Sequence, residues 1–319
     1  MASCYVRHVT CFSPMPHFEY RRVETKPSEP TFDLKPAFER ARKLNDKETI
    51  DPRKFEHYDK TMIARDMELV ARRQADFRMQ STKESEENKK AATVLEAILH
   101  EQIGKSDWIG PNVSTIKASQ YDDIVNGVDT IARIQREGEG DTHLGLAIDV
   151  TFSTHITEKL DRIKDDVKSG KLTQIKYFAS PNPEDPNEYT YMGSLKVPRV
   201  VIGIEKKAVL ELTKQWMENG TEISRSPIQH VIASEIVEQL EFFERYARSR
   251  NQPAVAAVYK QVRSVIERSL SEKEDGVWKK ERNRDKEVDA MKGLRNDRVR
   301  RAIEDYMEEI EVSELKTFR

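Results

Sequence analysis

Cysteine is almost absent from this 319-residue chain, with Cys4 and Cys11 as its only two. Two thiols within the first dozen positions cannot build a disulfide framework or a four-cysteine zinc site, which argues against structural zinc and for a reducing, cytoplasmic setting. Long apolar runs are missing too. No stretch approaches the ~18 residues of a spanning helix, and the opening MASCYVRHVTCFSPMP has no apolar block of a secretory signal, so no membrane partner is expected. Neither G-x-G-x-x-G nor G-x-x-x-x-G-K-[ST] occurs, which disfavours dinucleotide-dependent and nucleotide-driven motor chemistry. Charge of one sign is lacking as well. The 54 Lys and Arg nearly cancel the 56 Asp and Glu, so any nucleic-acid site must come from a local patch.

What the chain does have is charge as such, at 34% of residues, together with 11 Phe, 10 Tyr and 3 Trp. That balance fits a folded protein with long solvated helices better than a disordered one. Residues 1–34 read as an irregular tail, with Pro14, Pro16, Pro27 and Pro30 close together. Residues 35–90 read as a charged helical region. Within 91–220, the stripe Val94, Leu95, Ile98, Leu99 and Ile103 predicts a core-facing helix. Short apolar runs at 127–134, 143–152, 172–178 and 197–204 then predict strands, the first two joined through Gly138 and Gly140. Residues 154–168 predict a helix capped by Thr154 or Thr157, and the prolines 181, 183 and 186 predict a loop. A further helix is expected from Lys206 to Met217, and 221–319 reads as a C-terminal helical region, with helices at 228–248 and 254–269. The fold class expected is α/β, a mixed central sheet flanked by helical regions.

Two acids interrupt apolar strand runs. Asp129 lies in Gly127-Val128-Asp129-Thr130-Ile131, and Asp149 in Ile148-Asp149-Val150-Thr151-Phe152. A carboxylate at a buried sheet costs several kcal/mol unless a cation or hydrogen bonds compensate it. Two on adjacent strands could share Mg²⁺ or Mn²⁺, since hard cations take oxygen ligands and leave positions for a phosphate. Asp123, in Tyr121-Asp122-Asp123 just upstream, either joins that shell or forms an Asx turn into the strand. His143 and His155 do not have a zinc spacing, and capping or surface roles suit them better.

Over about residues 94–204 these features resemble the PD-(D/E)xK nuclease superfamily. The resemblance implies a restriction-endonuclease-like helix-strand-strand-helix-strand core. It matches Asp129 to the strand acid, Asp149 to the first residue of the (D/E)xK step, and Glu96 or Glu101 to the helix acid, together holding Mg²⁺ or Mn²⁺. The chain departs from the pattern where Thr151 occupies the lysine position. The resemblance then implies a lysine on a neighbouring element, with Lys159 first and Lys176 second.

From Arg245 to Ile266 there is no acid, and Arg245, Arg248, Arg250, Lys260 and Arg263 interleave with Tyr246 and Tyr259. That window could track phosphates and stack bases of a single strand, or be the solvated face of a helix pair. The cluster Lys279, Lys280, Arg282 and Arg284 alternates with acids and is a weaker signal. The expected function is metal-dependent cleavage of phosphodiester bonds in nucleic acid. The alternative is an inactive nuclease-like fold that binds nucleic acid or serves as a structural scaffold, its charged helices offering contact surfaces to a protein partner or a second copy.

Overall fold

The computed structural model describes residues 33–136, 139–151, 155–182, 185, 188–218, 222–273 and 301–308, with backbone alone for 136, 139–141, 146–151 and 155–156. Contacts divide the chain after Asp33, and everything below belongs to the unit that starts at Leu34. The expected tail up to residue 32, Gly138 of the expected hairpin-like loop, the Thr154 cap, and the Lys279 to Arg284 cluster lie outside the described residues, while Gly140 of that loop belongs to a strand.

Three helices come first: α1 (Lys35–Glu48), α2 (Lys60–Met79) and α3 (Lys83–Lys105). Each start has a local cause. Pro36 opens α1, the Asp59 carboxylate accepts from the Thr61 and Met62 amides at α2, and Thr82 and Ser85 form a reciprocal capping box at α3. The polar first turns of α3 are exposed, while the expected stripe of Val94, Leu95, Ile98, Leu99 and Ile103 is fully buried.

Four strands form the main sheet, in the order β1 (Val113–Lys117), β2 (Thr130–Arg136), β3 (Glu139–Thr151) and β6 (Arg199–Glu205). The first three are an antiparallel meander. Helix α4 (His155–Lys168) leads away from β3, and β6 then returns parallel to β3, with Asp149 opposite Gly203. Between them β4 (Thr173–Pro181) and β5 (Tyr189–Val197) make a separate antiparallel ribbon. Helices α5 (Lys206–Met217), α6 (Ile228–Ser249) and α7 (Pro253–Ser271) follow.

The mixed α/β class is as expected, and several details are corrected. Two sheets stand where one was predicted. β1 and β5 were not anticipated, because each of their sequences mixes polar residues into its alternation. Asp129 precedes β2 and does not sit within it, since Gly127 adopts a left-handed conformation (φ +66°) and the chain bends before pairing starts at Thr130. α4 starts before Thr157, which therefore lies inside the helix and is not its cap.

The β1–β2 pair has two apolar faces, as the period of a strand requires. Ile116 and Ile131 join the ribbon residues Ile175, Tyr177 and Phe178 in one core. Val113, Ala132 and Ile134 join α3, β6, α6 and α7 in the larger core. On β6, the outward Val201 amide and carbonyl are both bonded by the Gln239 side chain of α6, at 2.8 and 2.6 Å. The Tyr259 hydroxyl of α7 lies 3.4 Å from both the amide and the carbonyl of Arg199.

Candidate functional site

Helix α3 and strand β1 match in pitch where they cross. Four helical residues advance about 6 Å and two strand residues about 6.6 Å, so Glu96 and His100 of α3 meet Lys117 and Thr115 of β1 as successive pairs. The Lys117 ammonium lies 3.2 Å from the Glu96 carboxylate and 3.4 Å from the Thr130 hydroxyl. The Thr115 hydroxyl lies 2.7 Å from His100 Nδ1, and the other ring nitrogen faces Glu48 of α1.

Beside the Glu96–Lys117 pair stand two more carboxyl groups. Residues 122–126 form a single π-type turn that carries Asp123, Gly127 closes it, and Asp129 follows. Asp123 and Asp129 are hydrogen-bonded to each other. Desolvation, the charges of Asp129 and Glu96, and that hydrogen bond hold the Asp123 carboxyl well above its usual range. Asp123 is open to solvent on one side, which weakens the desolvation contribution and leaves the neighbouring carboxylates as the firmer cause. Glu96 is also pushed up, by burial first and by Asp129; Lys117, and more weakly Lys159 of α4, oppose that rise. Glu96 therefore interacts electrostatically with Lys117, Asp123, Asp129 and Lys159, although they come from α3, β1, the π turn, the bend before β2, and α4.

Two buried groups hold this arrangement. Asp122 accepts from the Lys176 and Tyr177 amides at 2.6 and 3.0 Å, from the Ser119 hydroxyl at 2.7 Å and from Asn126 at 2.7 Å, so the π turn is fixed to β4. Arg199 is 5% exposed and donates to the Asn126 carbonyl and, at 3.3 Å, to that of Gly127. A Cβ at position 127 would stand 2.8 Å from this guanidinium, so both the positive φ and the close approach require glycine.

The other expected residues go elsewhere. Glu101 accepts from Trp216 Nε1 at 2.5 Å and pairs with Lys105 and Arg40, and these bonds, working against burial, hold it below the usual carboxylate range. The Lys176 ammonium is bound to Asp66 and lies over the rings of Tyr121 and Tyr177, away from the carboxyl cluster. The backbone of Asp149 lies two residues beyond the position that continues the β2–β3 register opposite Asp129, roughly 7 Å along the strand. Its side chain and that of Thr151 lie outside the described atoms, as does that of His155. The His143 ring packs edge-on against Phe178. Among the described residues, no group of three or more His, Cys, Asp or Glu side chains is gathered closely enough to hold a metal ion.

The basic window of α6 and α7 is corrected on its aromatic component. Tyr246 and Tyr259 are buried at 1% and 2% exposure, so neither can stack on a base. Acids flanking the window also reach into it, with Glu244 pairing Arg248 at 2.9 Å and Arg263 at 2.8 Å. Arg250 lies over the Tyr246 ring, while Arg245 and Lys260 share the same two helices.

Lys117 and the anchoring pair Asp122 and Arg199 were not anticipated. The one signal for Lys117 was a lysine sharing the period-two face of Val113 in a short strand. No helix among the described residues is long and apolar enough to cross a membrane. Compared with known proteins, this chain matches no family model, no curated protein and no solved structure.

Proposed function

We propose that the protein is a metal-dependent nuclease that cleaves phosphodiester bonds of nucleic acid, with the cluster around Asp129 as its reactive centre. The observation that carries this reading is the gathering of Glu96, Asp123 and Asp129 with two lysines at the end of β1 and β2. The hydrogen-bonded carboxyl pair of Asp123 and Asp129 offers oxygen ligands of the kind a hard divalent cation takes, with further positions left to phosphate and water. Helix α3, the three-strand meander, α4 and the parallel strand β6 support the reading, although the β4–β5 ribbon comes between α4 and β6 and takes the strand expected directly after the helix.

In this reading Asp129, Asp149 and Asp123 would hold Mg²⁺ or Mn²⁺, with Glu96 behind them. The bound ion would supply charge stabilisation at the phosphate and a more acidic water. Lys117 opposes the rise at Glu96 and orients its carboxyl group. Lys159 acts electrostatically on Glu96 from α4 and would supply the ammonium that meets the phosphate or the attacking water. Lys176, held by Asp66, takes no part.

Incubating the protein with single- and double-stranded DNA and RNA, with Mg²⁺, Mn²⁺ or EDTA, tests the reading. Cleavage that requires the metal and is lost in Asp129→Asn supports it. No cleavage of any substrate, with no rise in Tm on adding metal, refutes it and leaves the inactive scaffold, which the Thr151 substitution favours.

A further inference from the structure

Away from the carboxyl cluster, a cavity of about 420 Å³ opens between the 50–53 turn, α2 and the residues preceding the π turn. Its volume falls in the range of small-molecule sites, roughly 300–1,000 Å³. Met67, 40% exposed, and Val70 give it an apolar wall, and Tyr121 gives it an aromatic one.

The charges around it are largely satisfied within the protein. Arg53 forks onto Asp51 through three contacts of 2.9 to 3.1 Å, and Asp66 is occupied by Lys176 and, at 2.5 Å, by the Tyr177 hydroxyl. A phosphate would therefore find no uncommitted cation there. The polar groups that remain are the Tyr121 hydroxyl, two side-chain amides, Gln74 and Gln120, neither of which hydrogen-bonds within the protein, and the exposed Asp46 carboxylate at the rim. Amides offer a donor and an acceptor side by side, the pattern that pairs with the edge of an amino-substituted base. Apolar and aromatic walls with edge-reading polar groups are how an unstacked base is held.

We infer that this cavity binds an amino-substituted heteroaromatic base, the chemistry shared by adenine, cytosine and guanine, with the ring against Met67 and Tyr121 and its edge read by Gln74 and Gln120. The base would come either from a free nucleoside or from an unpaired residue of a strand. The second source rests on the nuclease reading, and it has a structural route, because Tyr121 is followed directly by Asp122 and Asp123 of the π turn.

The test is calorimetric titration of the full chain with adenosine. Adenosine should bind about threefold to tenfold more tightly than purine riboside, which has the same rings without the exocyclic amine, and about as tightly as adenosine monophosphate. Gln74→Ala with Gln120→Ala should weaken adenosine about tenfold without changing the Tm, since neither amide bonds within the fold. Displacement of adenosine by an oligouridine strand carrying one adenine assigns the base to a strand, and failure to displace it assigns a free nucleoside. No heat at millimolar adenosine, unchanged affinity in the double variant, or far tighter binding of the monophosphate overturns the inference. None of these titrations requires cleavage, so adenosine binding by a protein that cuts nothing would refute the nuclease reading and leave the cavity assignment standing.

Discussion

Replacing Lys117 with Met keeps the length of the side chain and removes only its ammonium. Lys117 is 4% exposed and its partner Glu96 20% exposed, so the change leaves a mostly buried carboxylate beside Asp123 and Asp129 without its nearest cation. Breaking a buried pair in this way costs about 3–5 kcal/mol, and the residual solvent at Glu96 places the expected loss near 3 kcal/mol at neutral pH. For a folded unit of this size that corresponds to a fall in Tm of about 6–12 °C. The sign with pH follows from Glu96, which burial already holds above its ordinary value and which the variant raises further. A carboxyl whose folded pKa is raised costs nothing while protonated in both states, and the cost grows as pH climbs from about 4.3 through the raised value. The deficit of Lys117→Met should therefore shrink on acidification. Adding Glu96→Gln should recover about half of it, since no buried charge then remains. Urea unfolding of the wild type, both single variants and the double variant at neutral pH and near pH 4 measures all three quantities. A deficit below about 1 kcal/mol at neutral pH, or one equal at both pH values, refutes the reasoning.

Asp129→Asn and Asp149→Asn should each abolish metal-dependent cleavage and the metal-induced rise in Tm while the fold persists, as activity assays with thermal melts would show. Lys159→Met should slow cleavage at least about a hundredfold with little change in nucleic-acid affinity, separable by single-turnover kinetics and a binding titration. Lys176→Met should cleave normally but lose about 3 kcal/mol in urea unfolding, because Asp66 is left buried beside Tyr177. The His100 hydrogen bond lowers Glu48, so stability should fall as pH drops through the lowered value, and Glu48→Gln should flatten that acid limb of a stability-versus-pH curve.

Helices were the most legible part of the sequence, because their apolar stripes and caps are local. α5 runs over 206–217 as its pattern indicates, and α6 and α7 depart from theirs by one or two residues. β1 and β5 stayed hidden because polar residues interrupt their apolar alternation, and β5 begins just after a proline-rich stretch that by itself means loop. Within the candidate site, Asp123, Asp129 and Glu96 could be found as acids near apolar runs. The lysine could not be chosen, since the choice among Lys117, Lys159 and Lys176 depends on which sheet β1 and β4 join and on how α4 packs against it. Lys176 was attractive as a strand lysine until its strand proved to belong to the ribbon. The tyrosines of the basic window misled for a related reason, as the same pattern of rings serves a buried helix pair.

Gln239 gives β6 the hydrogen bonds of a missing neighbour. A strand at the margin of a sheet invites another chain to add to it, and here the Val201 main chain is bonded to a side-chain amide that no incoming strand can displace without unpacking α6. Growth of the sheet, whether by swapping, by filament formation or by capture of an extended peptide, is thereby directed away from β6. Gln239→Leu, which would pack comparably and leave those two main-chain groups bare, is the substitution expected to turn this margin into a template for aggregation.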